Sequence, residues 1–163
     1  MSKCAIALGS NLGNSLDILE NSLTVLANIP GIEIKNTSSW YQTKPVGNIA
    51  PQSDYLNGCA LLEVAQKPRE LLTILQDTEV QFGRVRREKY SARTLDLDLL
   101  LYDDLILDSL KLTIPHPRMP ERAFVLVPLA EIAPNWIEPV SGVAIAKLLR
   151  LVDTSGVKPY LVA

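Results

Sequence analysis

The chain has 163 residues, 47% hydrophobic and 21% charged, with a formal net charge of −2. That length suits one domain that buries about two thirds of its unfolded surface without a disulfide or metal staple, and the mild acidity excludes a general nucleic-acid binder. The two cysteines, Cys4 and Cys59, lie far apart without metal-ligand spacing, which favours reduced thiols over a disulfide and a reducing, cytoplasmic setting. The apolar opening from Cys4 to Leu8 is too short for a signal peptide, and no segment approaches the roughly 20 apolar residues of a membrane span.

In chain order, Cys4 to Leu8 reads as a strand that ends at the turn cluster Gly9-Ser10-Asn11-Leu12-Gly13-Asn14. A helix follows, capped by Asn14 or Ser15, in which Leu16, Leu19, Leu23 and Leu26 recur at helical spacing until Pro30-Gly31. Ile32 starts a second strand expected to continue to Thr43, followed by a loop from Lys44 to Ser53 with Pro45, Gly47 and Pro51, and then a third strand from Tyr55 to Val64. Pro68 suits the first turn of a second helix with Leu71, Leu75 and Phe82 along one side, Gln76 and Glu79 on another, and Gly83 at its end.

A fourth strand from Leu95 to Leu101 completes βαββαβ, a ferredoxin-like α+β arrangement in which an antiparallel sheet carries both helices on one face and leaves the other free for a ligand. Beyond it, Asp103-Asp104 marks a turn, short strands fall between Ile106 and Ile114, and a last helix is expected over Val143 to Leu151. Pro115, Pro117, Pro120, Pro128, Pro134 and Pro139 punctuate this stretch. It reads as a C-terminal extension that decorates the sheet rather than a second core. There is no internal repeat.

The fourth strand carries an electrostatic anomaly. Alternation puts Asp96 and Asp98 on one face and Leu95, Leu97 and Leu99 on the other. Two carboxylates about 5–6 Å apart at an effective dielectric near 20 repel by about 3 kcal/mol, which calls for a cation or a shared proton. Immediately upstream, Gly83-Arg84-Val85-Arg86-Arg87-Glu88-Lys89-Tyr90-Ser91-Ala92-Arg93 gathers five cations around one glutamate. Carboxylates for Mg2+ beside guanidinium forks for phosphate oxygens are the parts of phosphoryl transfer; a solvated basic loop leading into a strand is the alternative.

The remaining motifs are individually ambiguous. Gly9 to Gly13 sits where a phosphate loop would sit but fits neither common pattern, so a tight turn serves as well. Tyr55 and Asn57 share a face and offer a ring to stack on and an amide to read a heterocycle's edge, or a packed tyrosine and a backbone-bonded amide. His116, the only histidine, lies between two prolines and cannot build a histidine metal cluster; no G-x-S-x-G elbow supplies a hydrolase nucleophile for it. A phosphate contact or a structural role remains. Arg118 and Arg122 add donors or solvated charge, and Phe124 a second aromatic face.

Together, Gly9-Ser10-Asn11-Leu12-Gly13, Asp54-Tyr55-Leu56-Asn57, Gly83-Arg84-Val85-Arg86, Arg93-Thr94-Leu95-Asp96-Leu97-Asp98, Pro115-His116-Pro117-Arg118 and Glu121-Arg122-Ala123-Phe124-Val125-Leu126 resemble, in order and spacing, the 6-hydroxymethyl-7,8-dihydropterin pyrophosphokinases of folate biosynthesis. The resemblance implies transfer of pyrophosphate from ATP to the pterin hydroxymethyl oxygen, leaving AMP. It implies that Asp96 and Asp98 hold two Mg2+ ions beneath the phosphates, with Arg84 and Arg93 beside them in catalysis. It makes Lys111, Thr113, His116 and Arg122 further nucleotide contacts, with Gln76 and Glu79 lining the nucleotide side. Tyr55 and Phe124 would sandwich the pterin, while Thr43, Asn57 and backbone at Val46 and Gly47 read its edge. The loops from Lys44 to Ser53 and Arg84 to Ala92 would close as lids.

Members often carry an arginine, a tryptophan and Gly-Pro where this chain has Lys89, Tyr90, Ser91 and Ala92, and lysine lacks arginine's bidentate fork. Nothing demands more than a monomer. The rival from another class is a non-catalytic ferredoxin-like module that binds a small ligand or RNA; against RNA, the first strand has no aromatic and the aspartates repel phosphate unless a metal intervenes.

Overall fold

The computed structural model describes residues 1–11, 14–44, 54–83 and 94–161. In chain order these form β1 (Ser2–Ser10), α1 (Ser15–Ala27), β2 (Ile32–Thr37), β3 (Tyr41–Thr43), β4 (Tyr55–Val64), α2 (Pro68–Gln81) and β5 (Asp96–Tyr102). They continue with β6 (Leu107–Asp108), β7 (Thr113–Ile114), α3 (Ala123–Ile132), β8 (Ile137–Glu138), β9 (Val143–Ala144), α4 (Ile145–Leu149) and β10 (Lys158–Pro159). A 3-10 turn at Met119–Glu121 precedes α3.

The main sheet is antiparallel and runs β10-β3-β4-β1-β5, with β2 pairing the stretch of β4 next to that used by β3. β1 and β4, its two longest strands, pair along their whole length from Ser2 opposite Val64 to Ser10 opposite Leu56. α1 and α2 form where the leucine spacing predicts them. Leu19 and Leu26 of the first and Leu71 and Leu75 of the second are fully buried against Ile6, Leu8 and Leu62. Gly31 and Gly83, each with φ above +80°, take the left-handed turns that follow these helices. Pro68 occupies the first position of α2, and the Lys67 N–H donates to Glu70 Oε1 at 2.9 Å, satisfying one of the exposed donors of that end.

Two expectations need correction. The second strand is not continuous to Thr43. Ser38 interrupts it, because its Oγ accepts the Cys59 N–H at 2.9 Å while the Ser38 N–H reaches the Cys59 carbonyl. Trp40 then packs into the α1/α2 layer, over Gly58. A Cβ on Gly58 would lie 2.6 Å from two atoms of the indole ring, which is half-buried against the core. Gly58→Ala is therefore expected to destabilise the protein by about 1–3 kcal/mol through overpacking, read as a fall in the midpoint of thermal unfolding; an unchanged midpoint would mean that the ring moves aside freely.

The second correction concerns the C-terminal third, which builds a second apolar layer rather than a decoration. α3 lies across β4, and α4 packs on α3. Val125, Leu126, Leu129, Ile145 and Leu148 close over Ala5, Cys59 and Leu61 on the sheet face opposite α1 and α2. That face is thus not free along its length. Among the described residues, a cleft stays open at the end near Gly9, Asn57 and Asp96. The expected last helix shortens to α4, since Val143–Ala144 pair with Ile137–Glu138 instead.

Both cysteines are buried and unbonded to each other, and burial, with Asp103 adding to it, pushes the Cys4 thiol up to about 12. Among the described residues no helix is long and apolar enough to cross a membrane.

Candidate active site

The aspartate strand lies as the alternation requires. Leu95, Leu97 and Leu99 are buried in the α1/α2 layer. Asp96 and Asp98, half-buried, stand on the other face in register with Gly9 and Ala7 of β1. Those neighbours have almost no side chain, so open space remains above the carboxylates. β5 is also an edge strand, and two of its outer hydrogen-bonding groups are covered: the Leu97 N–H donates to Glu79 Oε2 at 2.8 Å, and the Leu100 carbonyl accepts the His116 N–H at 3.0 Å. Asp96 and Asp98 are thereby mounted on a strand held along both edges.

Two clefts meet at Asp98 and His116, which line both. The larger, about 570 Å³, is lined by Thr43, Tyr55 and Asn57, by Arg118, Arg122 and Phe124, and by Asp96 and Asp98. The smaller, about 250 Å³, is bounded by Leu72 of α2, by Leu97 and Leu99, and by the segment from Ser109 to Thr113.

Within the larger cleft the side chains are braced. Asn57 is buried and donates through Nδ2 to Thr43 Oγ1 at 2.9 Å. Its Oδ1 lies 3.0 Å from where a Cβ on Gly9 would stand. That close approach accounts for glycine at the end of β1, whatever Gly13 does. The Arg122 guanidinium lies 5.5 Å from the centroid of the Phe124 ring, within cation–π range.

His116 is held below the usual imidazole range: burial lowers it, the Asp98 charge opposes that, and Arg122 and Arg118 add to the lowering. Its Nδ1 accepts the Arg118 N–H at 3.2 Å, so the neutral ring carries its proton on Nε2. That makes it a donor where the clefts join.

Among the described residues no group of three metal-ligating side chains exists. Two carboxylates on one strand face over small neighbours fit a hard divalent cation of the Mg2+ type, which takes most of its oxygens from water and substrate phosphates rather than from a full protein cage.

Of the residues singled out in the sequence, Asp96, Asp98, His116, Arg122, Thr43, Tyr55, Asn57 and Phe124 come together around the larger cleft, and Lys111 and Thr113 around the smaller. Gln76 and Glu79 line neither cleft: Gln76 is exposed on α2, and Glu79 is buried and serves the backbone of β5. Arg84, Arg93, Val46 and Gly47 lie outside the described residues. The cleft adds Lys44 and Glu121, which were given no contact role from the sequence, although Lys44 opens the loop after Thr43 and Glu121 begins the motif that contains Arg122 and Phe124.

Comparison with known proteins agrees with this geometry. Residues 5–134 match the family described as 7,8-dihydro-6-hydroxymethylpterin-pyrophosphokinase. The chain is 50% identical over 154 residues to the 2-amino-4-hydroxy-6-hydroxymethyldihydropteridine pyrophosphokinase of Synechocystis sp., covering 94% of this chain and 78% of that one. It is 40% identical over 153 residues to the protein of the same name from Haemophilus influenzae, covering 94% of this chain and 95% of that one.

Among solved structures, the wild-type HPPK-DHPS chain of Plasmodium falciparum superposes with a TM-score of 0.72 at 17% identity, over 92% of this chain and 41% of that one. An HPPK-DHPS in complex with substrates gives 0.72 at 13%, over 92% of this chain and 43% of that one. This chain thus spans less than half the length of those two, and at such identities they speak for the fold alone. The family match covers β1 through α3, the elements that carry the aspartates and line the cleft, and with the identities to the curated relatives it shows that the chain belongs to the 7,8-dihydro-6-hydroxymethylpterin-pyrophosphokinase family.

Proposed function

We propose that the chain is a single-domain, monomeric, cytoplasmic enzyme that transfers pyrophosphate from ATP to the hydroxymethyl oxygen of 6-hydroxymethyl-7,8-dihydropterin in folate biosynthesis. The observation that carries the reading is the Asp96/Asp98 pair, which lines the larger of two clefts that share Asp98 and His116. The larger cleft takes the pterin, since Tyr55 and Phe124 offer rings to stack on and Asn57 and Thr43 an amide and a hydroxyl for its edge. The smaller takes the nucleoside end of ATP between Leu72, Leu112, Lys111 and Thr113. The triphosphate then crosses the junction, where the hydroxymethyl oxygen attacks the β-phosphorus, loses its proton, and displaces AMP as the bond from the β-phosphorus to the α-bridging oxygen breaks.

Asp96 and Asp98 would hold Mg2+, two ions in the finer form of the reading; bound there, the metal supplies neutralisation of the phosphate charge. Arg122, held over Phe124, places a permanent cation at the cleft wall. His116 donates from Nε2 to a phosphate oxygen. Arg84 and Arg93 complete the cationic set. No covalent intermediate is required, because phosphoryl transfer depends on positioning and charge neutralisation.

The strand order β5-β1-β4-β2/β3 supports the ferredoxin-like assignment. It does not favour an RNA-recognition module, because α3 and α4 cover much of the sheet face that such a module would use. The test is the nucleotide product. Protein with ATP, Mg2+ and the hydroxymethyl-dihydropterin is expected to form AMP one-for-one with pterin pyrophosphate, whereas ADP, or no nucleotide consumption, would sink the assignment.

A further inference from the structure

Glu131 stands in the last turn of α3 and lines neither cleft, yet its carboxylate is heavily engaged. It accepts the Ser39 N–H at 2.9 Å and the Ser39 hydroxyl at 3.0 Å on Oε2, and the Tyr41 hydroxyl at 2.5 Å on Oε1. Burial opposes its charge, but the bonds from Tyr41 and Ser39 outweigh it and hold the carboxyl below its usual range. Burial and the same contact push the Tyr41 hydroxyl up to about 12. On a largely exposed site such bonds add little to global stability. What they join is more telling.

α3 carries Phe124 in its first turn, seven residues and about 10 Å along the helix from Glu131. Tyr41 begins β3, whose Thr43 pairs with Tyr55 and bonds Asn57. The latch therefore ties together two elements whose other ends, at Phe124 and Thr43, both line the larger cleft.

We infer that Glu131 is a positioning residue for the pterin: by bonding Ser39 and Tyr41 it fixes α3 against β3, and so sets the Phe124 ring relative to Tyr55 and Asn57. The inference rests on the pterin reading of the larger cleft. It also predicts selectivity. No residue of α3 or β3 lines the smaller cleft, so the nucleotide end should not depend on the latch. β3 has a further attachment, since β10 pairs with it and the Tyr160 N–H reaches the Trp40 carbonyl. A merely structural Glu131 would therefore be dispensable for substrate binding.

Steady-state kinetics with each substrate varied separately distinguish the two roles. Glu131→Ala is expected to raise the KM for the hydroxymethyl-dihydropterin on the order of tenfold, equivalent to about 1.4 kcal/mol, while the KM for ATP changes by less than about twofold. Glu131→Gln keeps an acceptor for Ser39 and should recover most of the loss. Tyr41→Phe should give a smaller rise, and the double variant Tyr41→Phe/Glu131→Ala no more than Glu131→Ala alone, as expected of residues in one contact. Should Glu131→Ala fail to fold, Tyr41→Phe carries the same comparison.

An unchanged pterin KM in the folded variants, or equal changes in both KM values, would overturn the inference while leaving the pyrophosphokinase reading standing. A parent protein that forms no AMP would overturn the reading itself.

Discussion

Replacing Asp96 or Asp98 by alanine is expected to lower kcat on the order of a thousandfold, about 4 kcal/mol of barrier. Asp98 lies at the junction of the clefts and Asp96 beside it in the larger one, a pair placed to hold a divalent cation, and without that cation the triphosphate would bring several negative charges against an acidic strand. The fold should survive. Asp98 is half-buried on the cleft face while the leucines beside it carry the packing, so removing one of two like charges relieves repulsion in the metal-free protein. Turnover with Mg2+, set beside thermal unfolding of metal-free Asp98→Ala, tests both halves. Near-native activity in either variant would refute the metal site, and a large loss of stability in Asp98→Ala would mean that the acid serves the fold instead.

Leu129→Ala is expected to cost about 2–5 kcal/mol, as much as Leu75→Ala. Both leucines are fully buried, Leu75 in the layer of α1 and α2 and Leu129 in the layer of α3 and α4. For a chain of this size each kcal/mol lowers the unfolding midpoint by roughly 2–4 °C, so the two variants should melt well below the parent and near one another. A cost under about 1 kcal/mol for Leu129→Ala, well below the range for a buried leucine, would return the C-terminal third to a surface decoration. Because Val125 and Leu126 of the same helix adjoin Phe124, Leu129→Ala should also weaken pterin binding more than ATP binding.

Much of the site was legible because its signals are local. The opposition of Asp96 and Asp98 to Leu95, Leu97 and Leu99 needs only the two-residue period of a strand, and the leucines of α1 and α2 only the helical one. The residues around Tyr55, His116 and Phe124 could be gathered by a resemblance in order and spacing, and the two clefts bring them together.

Other features were hidden for definable reasons. α3 reads AFVLVPLAEI, apolar apart from Glu131 and with a proline inside, so it shows little amphipathic period, and Pro128 argues against a helix by removing one of its hydrogen bonds. The interruption at Ser38 depends on the Cys59 backbone, which no local pattern announces. The roles of Glu79 and Glu131 depend on donors distant in sequence, the Leu97 N–H for one and Ser39 with Tyr41 for the other.

Residue type and short-range periodicity suffice for the alternating aspartate strand, the two helices behind it, and the chemistry that carboxylates and clustered cations can perform. Long-range packing alone sets α3 and α4 over part of the sheet, two clefts meeting at Asp98 and His116, and Glu131 across from Ser39 and Tyr41. Those outcomes rest on contacts between segments far apart in the chain, whose partners are chosen by packing rather than by neighbouring residues.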